Sequence, residues 1–136
     1  MTVQRHRRVV WIALVGYWIC LSTVTHLPPS KLPDTHIKDT YEHFTAFALL
    51  AVLLCAALSS KDWTIARVAG MSFAIAAAYG AVDEWTQPIF GRTCALSDWF
   101  ADATGAATAV ALFVVVRSVG RALSGARGAG SLPPPS

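Results

Sequence analysis

Four apolar stretches constrain the fold of this chain more than any other feature of its sequence. They run from Val9 to Leu27, from Thr40 to Leu58, from Ile65 to Val82 and from Trp99 to Val116. The length of each stretch is close to that of a helix that crosses the hydrocarbon core of a bilayer, which is about 20 residues. Because the connections between them are short, consecutive helices must lie antiparallel. The pattern predicts an all-α membrane protein with four transmembrane helices in a compact up-down bundle.

Composition excludes an ordinary soluble domain. Of the 136 residues, 54% are hydrophobic and 14% are charged, whereas soluble domains carry about 25% charged residues. The net charge of +3 gives no reason to expect a nucleic-acid partner. The three cysteines are an odd number without C-x-x-C spacing, so they predict neither a disulfide framework nor a zinc ribbon.

The charges between the spans predict an orientation, since basic residues favour the cytoplasmic side. With a cytoplasmic N-terminus, eight basic residues and one acid lie inside, and three basic residues and seven acids lie outside. We therefore expect a multi-pass protein of the cell (plasma or inner) membrane with both termini cytoplasmic. The predicted segments are a basic N-terminus (1–8), a membrane domain (9–116) and a disordered cytoplasmic tail (117–136).

Three spans bring ionisable or polar side chains to the predicted outer face, where such residues suggest a functional site. The candidate polar site consists of Asp39, His43, Asp83, Glu84, Gln87, Arg92, Asp98 and Asp102. Helix capping is an alternative for Asp39 with Glu42 and for Ser97. Because adjacent helix positions point about 100° apart, we expect one of Asp83 and Glu84 to face the bundle and the other to face water.

Two further features concern packing and ion pairing in this region. Ala101, Gly105 and Ala109 form a ridge of small residues that lets a second helix approach closely. Arg92 is the only arginine on the acidic side. It either pairs with the acids and organises its loop, or binds a phosphate or carboxylate of a ligand.

An ordered set of these residues resembles the VanZ-like family of small bacterial membrane proteins. The set is Asp83-Glu84-x-x-Gln87, Gly91-Arg92, Ser97-Asp98, Asp102 and Gly105, together with Asp39 and His43. Thr40 stands where that family commonly has Lys, and Asp102 stands where Asn is frequent. The resemblance implies a cell-membrane protein, and the founding member of the family is associated with resistance to the glycopeptide teicoplanin.

We expect the polar site to recognise an envelope component or amphiphile. Membrane lipids are the expected partners, with an envelope amphiphile or a glycopeptide-related ligand as candidates. One alternative is an enzyme that acts on a lipid headgroup, with His43 and either Asp83 or Asp98 as acid and base. Another is a purely structural module. One histidine with scattered acids is a weak metal-ligand set, so no metal or cofactor is expected.

Overall fold

Four long helices make up most of the computed structural model, which describes residues 3–31 and 38–129. They are α1 (Val3–Thr25), α2 (Asp39–Leu58), α3 (Ile65–Thr86) and α4 (Leu96–Ala129). Two short 3₁₀ helices, Pro29–Lys31 and Gln87–Phe90, follow α1 and α3. All four long helices are long and apolar enough to cross a membrane, which confirms the predicted fold class.

Helices that follow one another in the chain run in opposite directions. Trp11, near the start of α1, donates a hydrogen bond of 3.3 Å to Ser60, just after the end of α2. At the other end of the bundle, Thr25 at the end of α1 donates to Asp83 near the end of α3, and His43 near the start of α2 contacts Asp102 near the start of α4. We call this second end, where α1 and α3 finish and α2 and α4 begin, the polar end.

Helix α2 contributes most to the core of the bundle. Its side chains Phe47, Leu50 and Leu54 are almost completely buried, and its most extensive contact is with α4. On the outer surface of the bundle, by contrast, large apolar side chains such as Ile12 and Leu112 are more than half exposed. An outer surface of this kind is stable in lipid rather than in water.

The helices extend beyond the apolar stretches from which they were predicted. Helix α1 begins at Val3 rather than at Val9, and α4 continues to Ala129. The expected disordered tail is therefore helical over 117–129, while 130–136 lie outside the described residues. Propagating an existing helix is far easier than starting one. Alanine, leucine and arginine, which are good helix formers, supply much of this segment. The segment contains no proline, and the next proline in the chain is Pro133.

The predicted N-caps of two helices are wrong by one or two residues. Lys38 is the N-cap of α2 and makes no side-chain cap hydrogen bond, so Asp39 lies inside the first turn. In α4 the backbone amides of Asp98 and Trp99 donate to the carbonyl oxygen of Ala95, which places Ser97 inside that helix. Asp39 and Asp98 are nevertheless favourable there, because a carboxylate in the first turn complements the helix dipole.

Candidate functional site

Among the described residues, His43 and Asp102 form the closest acid–histidine pair at the polar end. The Nδ1 atom of His43 lies 2.9 Å from Oδ1 of Asp102. Both side chains are almost fully shielded from solvent, with 5% of His43 and none of Asp102 exposed. A histidine ring whose Nδ1 is held by a carboxylate has a fixed orientation. The pair therefore ties α2 to α4 and fixes the direction of the second ring nitrogen.

Asp83 joins α3 to α1 and accepts three hydrogen bonds. Its Oδ1 accepts from the hydroxyl of Thr25 at 2.7 Å and from that of Tyr79 at 3.2 Å. Its Oδ2 accepts from Nε2 of Gln87 at 3.2 Å, as their shared helix face predicts. A buried carboxylate with three donors is well compensated for the loss of water.

Glu84 points into the bundle in a different direction from Asp83. Its Oε1 accepts from Nε2 of Gln87 at 3.0 Å and lies 3.9 Å from Nδ1 of His43. Its Oε2 accepts from the backbone amide of Ala95 at 2.9 Å. Both acids are almost fully buried, so the expectation that one of them faces water is wrong. The two side chains diverge as predicted, but each meets a different helix of the bundle.

The remaining candidates lie around this buried pair of acids. Nη2 of Arg92 lies 3.6 Å from Oδ2 of Asp39, whose side chain is 54% exposed. Asp39 also lies 3.9 Å from Nε2 of His43, one turn away on the same helix. Asp98 is buried and accepts from the hydroxyl of Ser97 at 3.2 Å. The structure thus gathers all eight candidate residues at the polar end, with Asp39 and Arg92 at its rim.

Close helix approach makes these contacts possible. The predicted ridge of Ala101, Gly105 and Ala109 is buried, and a Cβ at Gly105 would overlap the carbonyl oxygen of Phe44 in α2. On α3, a Cβ at Gly80 would lie 2.9 Å from Oδ2 of Asp102. Small residues on two helices therefore leave the space in which the Asp102 carboxylate lies.

The first helix also contributes to the cluster, which the sequence analysis did not anticipate. Besides Thr25, the adjacent His26 places Nδ1 3.7 Å from Oδ1 of Asp83. The same Nδ1 donates to the carbonyl oxygen of Ser22 at 2.7 Å, and Nε2 lies 2.8 Å from the hydroxyl of Thr86. Thr25 and His26 are polar residues at the end of the first apolar stretch, on the side where the acids lie. Their position could have indicated that α1 contributes to the cluster.

A cavity of about 80 Å³ opens beside His43 between α1 and α2. Its polar lining residues are Thr25, Asp39, Glu42, His43 and Arg92, and its apolar ones are Leu21, Val24, Ala46 and Phe47. Pockets that enclose a drug-sized ligand measure about 300–1,000 Å³. This cavity can therefore hold only a small polar group of a larger molecule.

The geometry brings together more ligand-type atoms than the sequence suggested. His43, Glu84 and Asp102 can each direct a nitrogen or oxygen atom to within 4.8 Å of the others, as can Asp39, His43 and Asp98. The premise that the acids are scattered is wrong, since helix packing brings Asp39, Glu84, Asp98 and Asp102 close to the imidazole of His43. A histidine oriented by one carboxylate and close to others can take part in acid–base chemistry or bind a cation.

Comparison with known proteins identifies the family. The family model described as VanZ/LLP1 matches residues 12–117, a range that contains every candidate residue of the polar site. The comparisons find no match among curated proteins or among solved structures. Because the family model covers most of the chain, this protein belongs to the VanZ/LLP1 family.

Proposed function

We propose that the polar end binds the headgroup of an envelope amphiphile whose acyl chains remain in the surrounding lipid. The observation that supports this most strongly is the composition of the cavity beside His43. It is lined by ionisable side chains and by aliphatic and aromatic side chains of α1 and α2. A cavity with both polar and apolar lining suits a molecule with both kinds of surface.

The charges at the rim indicate which headgroup is preferred. Asp39 and Glu42 are acidic, while Arg92 supplies a guanidinium whose planar donors suit a phosphate. A zwitterionic headgroup places an ammonium beside the acids and a phosphate beside Arg92. Phosphatidylethanolamine carries both groups, whereas phosphatidylglycerol carries the phosphate without the ammonium. The proposal therefore predicts a preference for phosphatidylethanolamine over phosphatidylglycerol.

Native mass spectrometry of the full chain, with the two lipids carrying identical acyl chains, tests this prediction. We expect phosphatidylethanolamine to bind at least about tenfold more tightly, since a charge-assisted hydrogen bond contributes about 1.5–3 kcal/mol. Asp39→Asn should remove most of this preference, and Arg92→Gln should weaken the binding of both lipids.

Matched controls lie at the opposite end of the bundle. Asp62 is exposed, and Arg67 stacks on the ring of Trp63 with 4.3 Å between its Cζ atom and the ring centroid. Asp62→Asn and Arg67→Gln should leave both affinities unchanged. Equal binding of the two lipids by the wild-type protein, or equal effects of the variants at the two ends, would contradict the proposal.

A second candidate function is chemistry on the bound headgroup, which the pairing of His43 with Asp102 favours. An imidazole oriented by a carboxylate can act as a general base toward a group in the cavity that it lines. The two functions differ in turnover. An enzyme converts the added lipid into a product that lipid mass spectrometry detects, and His43→Ala abolishes the product, whereas a binding protein leaves the lipid intact.

The family resemblance implies a phenotype that can be tested in parallel. If binding of an envelope amphiphile underlies altered glycopeptide susceptibility, deletion of the gene and Asp39→Asn should change teicoplanin susceptibility in the same direction. The membrane content of the variant protein must match that of the wild type for this comparison to be informative.

A further inference from the structure

Three buried side chains from three helices converge on one small volume at the polar end. His43 of α2, Glu84 of α3 and Asp102 of α4 can place one ligand-type atom each within 4.8 Å of the others. Their exposed fractions are 5%, 4% and zero. We call these residues the buried triad.

One oxygen of the triad has no partner. Oδ1 of Asp102 contacts His43, but Oδ2 is completely buried and accepts no hydrogen bond from any described residue. This oxygen lies against Gly80 of α3, 2.9 Å from the position that a Cβ there would take. Because Gly80 is one turn from Glu84, the oxygen lies against the helix face that carries the second acid of the triad. An unpaired buried carboxylate oxygen indicates a ligand that supplies its partner.

No lysine or arginine among the described residues pairs with the buried acids around the triad. Asp83, Glu84, Asp98 and Asp102 are all buried. In the described part of the chain, the ion pairs of the buried acids are formed with histidines, and Arg92 pairs with the exposed Asp39 instead. Buried carboxylates are normally paired or coordinate metals. A cation within the triad would balance the two acids that face His43.

We propose that His43, Glu84 and Asp102 bind a divalent metal ion of the class represented by Zn²⁺. Ligand atoms about 2.0 Å from a tetrahedral zinc ion lie about 3.3 Å apart. The distances from Nδ1 of His43 to Oδ1 of Asp102 and to Oε1 of Glu84 are 2.9 and 3.9 Å, which bracket this spacing. An ion bound at Nδ1 takes the place of the proton between Nδ1 and Oδ1 of Asp102, which is released to solvent. The unpaired Oδ2 of the same carboxylate would then turn toward the ion as its partner.

The chemistry of the donors selects among metals. Imidazole nitrogen suits zinc and other first-row transition metals, whereas Mg²⁺ and Ca²⁺ prefer sites made entirely of oxygen. Glu84 is already positioned for this role by Gln87 and by the amide of Ala95, and such outer contacts orient metal ligands. Three protein ligands leave a fourth position for water or another group.

The buried triad is a better cation site than the neighbouring group of Asp39, His43 and Asp98. In that group Asp39 is more than half exposed and is paired with Arg92 at 3.6 Å. A carboxylate that is hydrated and shares its charge with a guanidinium is a poor direct ligand for a metal ion. The triad has neither disadvantage, because Arg92 pairs at the rim and its three side chains are shielded from solvent.

Metal analysis of the full chain tests this inference independently of any amphiphile. The protein is purified in detergent through an affinity tag without histidines, and its zinc content is measured by inductively coupled plasma mass spectrometry. Chelator-treated protein is then titrated with Zn²⁺, and thermal unfolding is followed. We expect stoichiometric zinc, or a rise in the unfolding temperature when Zn²⁺ is restored, since ligands that bind only the folded state stabilise it.

Variants then assign the site. His43→Gln and Glu84→Gln should lower zinc affinity by about tenfold or more, since loss of even an outer partner of a ligand costs about 10–100-fold. His26→Gln is the matched control, because His26 also lies near a buried acid of the polar end, Asp83, but outside the triad. It should leave zinc affinity unchanged.

Two results would overturn the inference. One is wild-type protein that contains little zinc and shows no change in unfolding temperature when Zn²⁺ is added. The other is an equal loss of zinc in His26→Gln and His43→Gln. The first measurement needs no variant, so the inference stays testable even if a substitution prevents folding. Neither result bears on lipid binding, which is measured separately.

Discussion

Replacing Gly105 by alanine should destabilise the bundle more than the addition of a single methyl group suggests. Gly105 lies where α4 packs most closely against α2. A Cβ at this position would lie 3.0 Å from the carbonyl carbon of Phe44 and 3.1 Å from its Cα, and would overlap its carbonyl oxygen. These atoms are backbone, so rotation of a side chain cannot relieve the overlap. The two helices must move apart instead.

The magnitude follows from two opposing effects. Overpacking of a well-packed interior costs about 1–3 kcal/mol, and contact with backbone places Gly105→Ala at the upper end of that range. Alanine regains about 0.5–1 kcal/mol relative to glycine within a helix. The expected net loss is therefore about 2 kcal/mol in the free energy of unfolding. Because His43 directly precedes Phe44, separation of the helices also lengthens the contact between His43 and Asp102.

Gly120 provides the matched control on the same helix. A Cβ at Gly120 would meet nothing within 4 Å, so Gly120→Ala should raise stability by about 0.5–1 kcal/mol through helix propensity alone. Unfolding in mixed micelles with increasing SDS, followed by tryptophan fluorescence, measures both variants against the wild type. If Gly105→Ala is as stable as Gly120→Ala, the close approach of α2 and α4 is refuted.

Two other predictions follow from single contacts. Thr25→Val removes the hydroxyl that donates to buried Asp83 at 2.7 Å and should lower the free energy of unfolding in the same assay by about 1–3 kcal/mol. Thr23→Val should be nearly neutral, since that hydroxyl bonds the carbonyl oxygen of Ile19 within its own helix; equal effects would refute the role of Thr25. Cys94 is exposed in the loop before α4, so a membrane-impermeant maleimide should label it in intact cells if the polar end faces outward. Labelling only after the cytoplasm is opened would invert the predicted orientation.

The four helices were predictable because lipid imposes a simple requirement on a spanning segment. Each must satisfy its backbone hydrogen bonds internally and expose apolar side chains. A run of about 20 apolar residues meets both conditions, whatever its neighbours are. The ends of the helices were less predictable. Hydropathy marks where the hydrocarbon core begins. A helix such as α4 continues beyond that point for as long as its residues favour the helical conformation.

The membership of the polar cluster was predictable, but its internal contacts were not. Up-down packing alone brings the ends of α1 and α3 to the starts of α2 and α4, so acids at those positions must meet. Which atom contacts which depends on helix rotation and on side-chain reach. Glu84 shows this, because its longer side chain reaches both Ala95 and the vicinity of His43, although it points away from Asp83.

A purely structural role is the remaining alternative, and the energetics of burial argue against it. Removing a carboxylate from water costs several kcal/mol, and apolar side chains of similar volume often stabilise a protein as well as a buried ion pair or better. Among the described residues, one oxygen of Asp102 has no partner, a cost that an apolar side chain such as leucine at this position would avoid. Gly80 also gives up helix propensity, and a Cβ there would lie 2.9 Å from this carboxylate. Stability alone does not account for these costs, whereas the proposed binding of a cation or a headgroup at the polar end does.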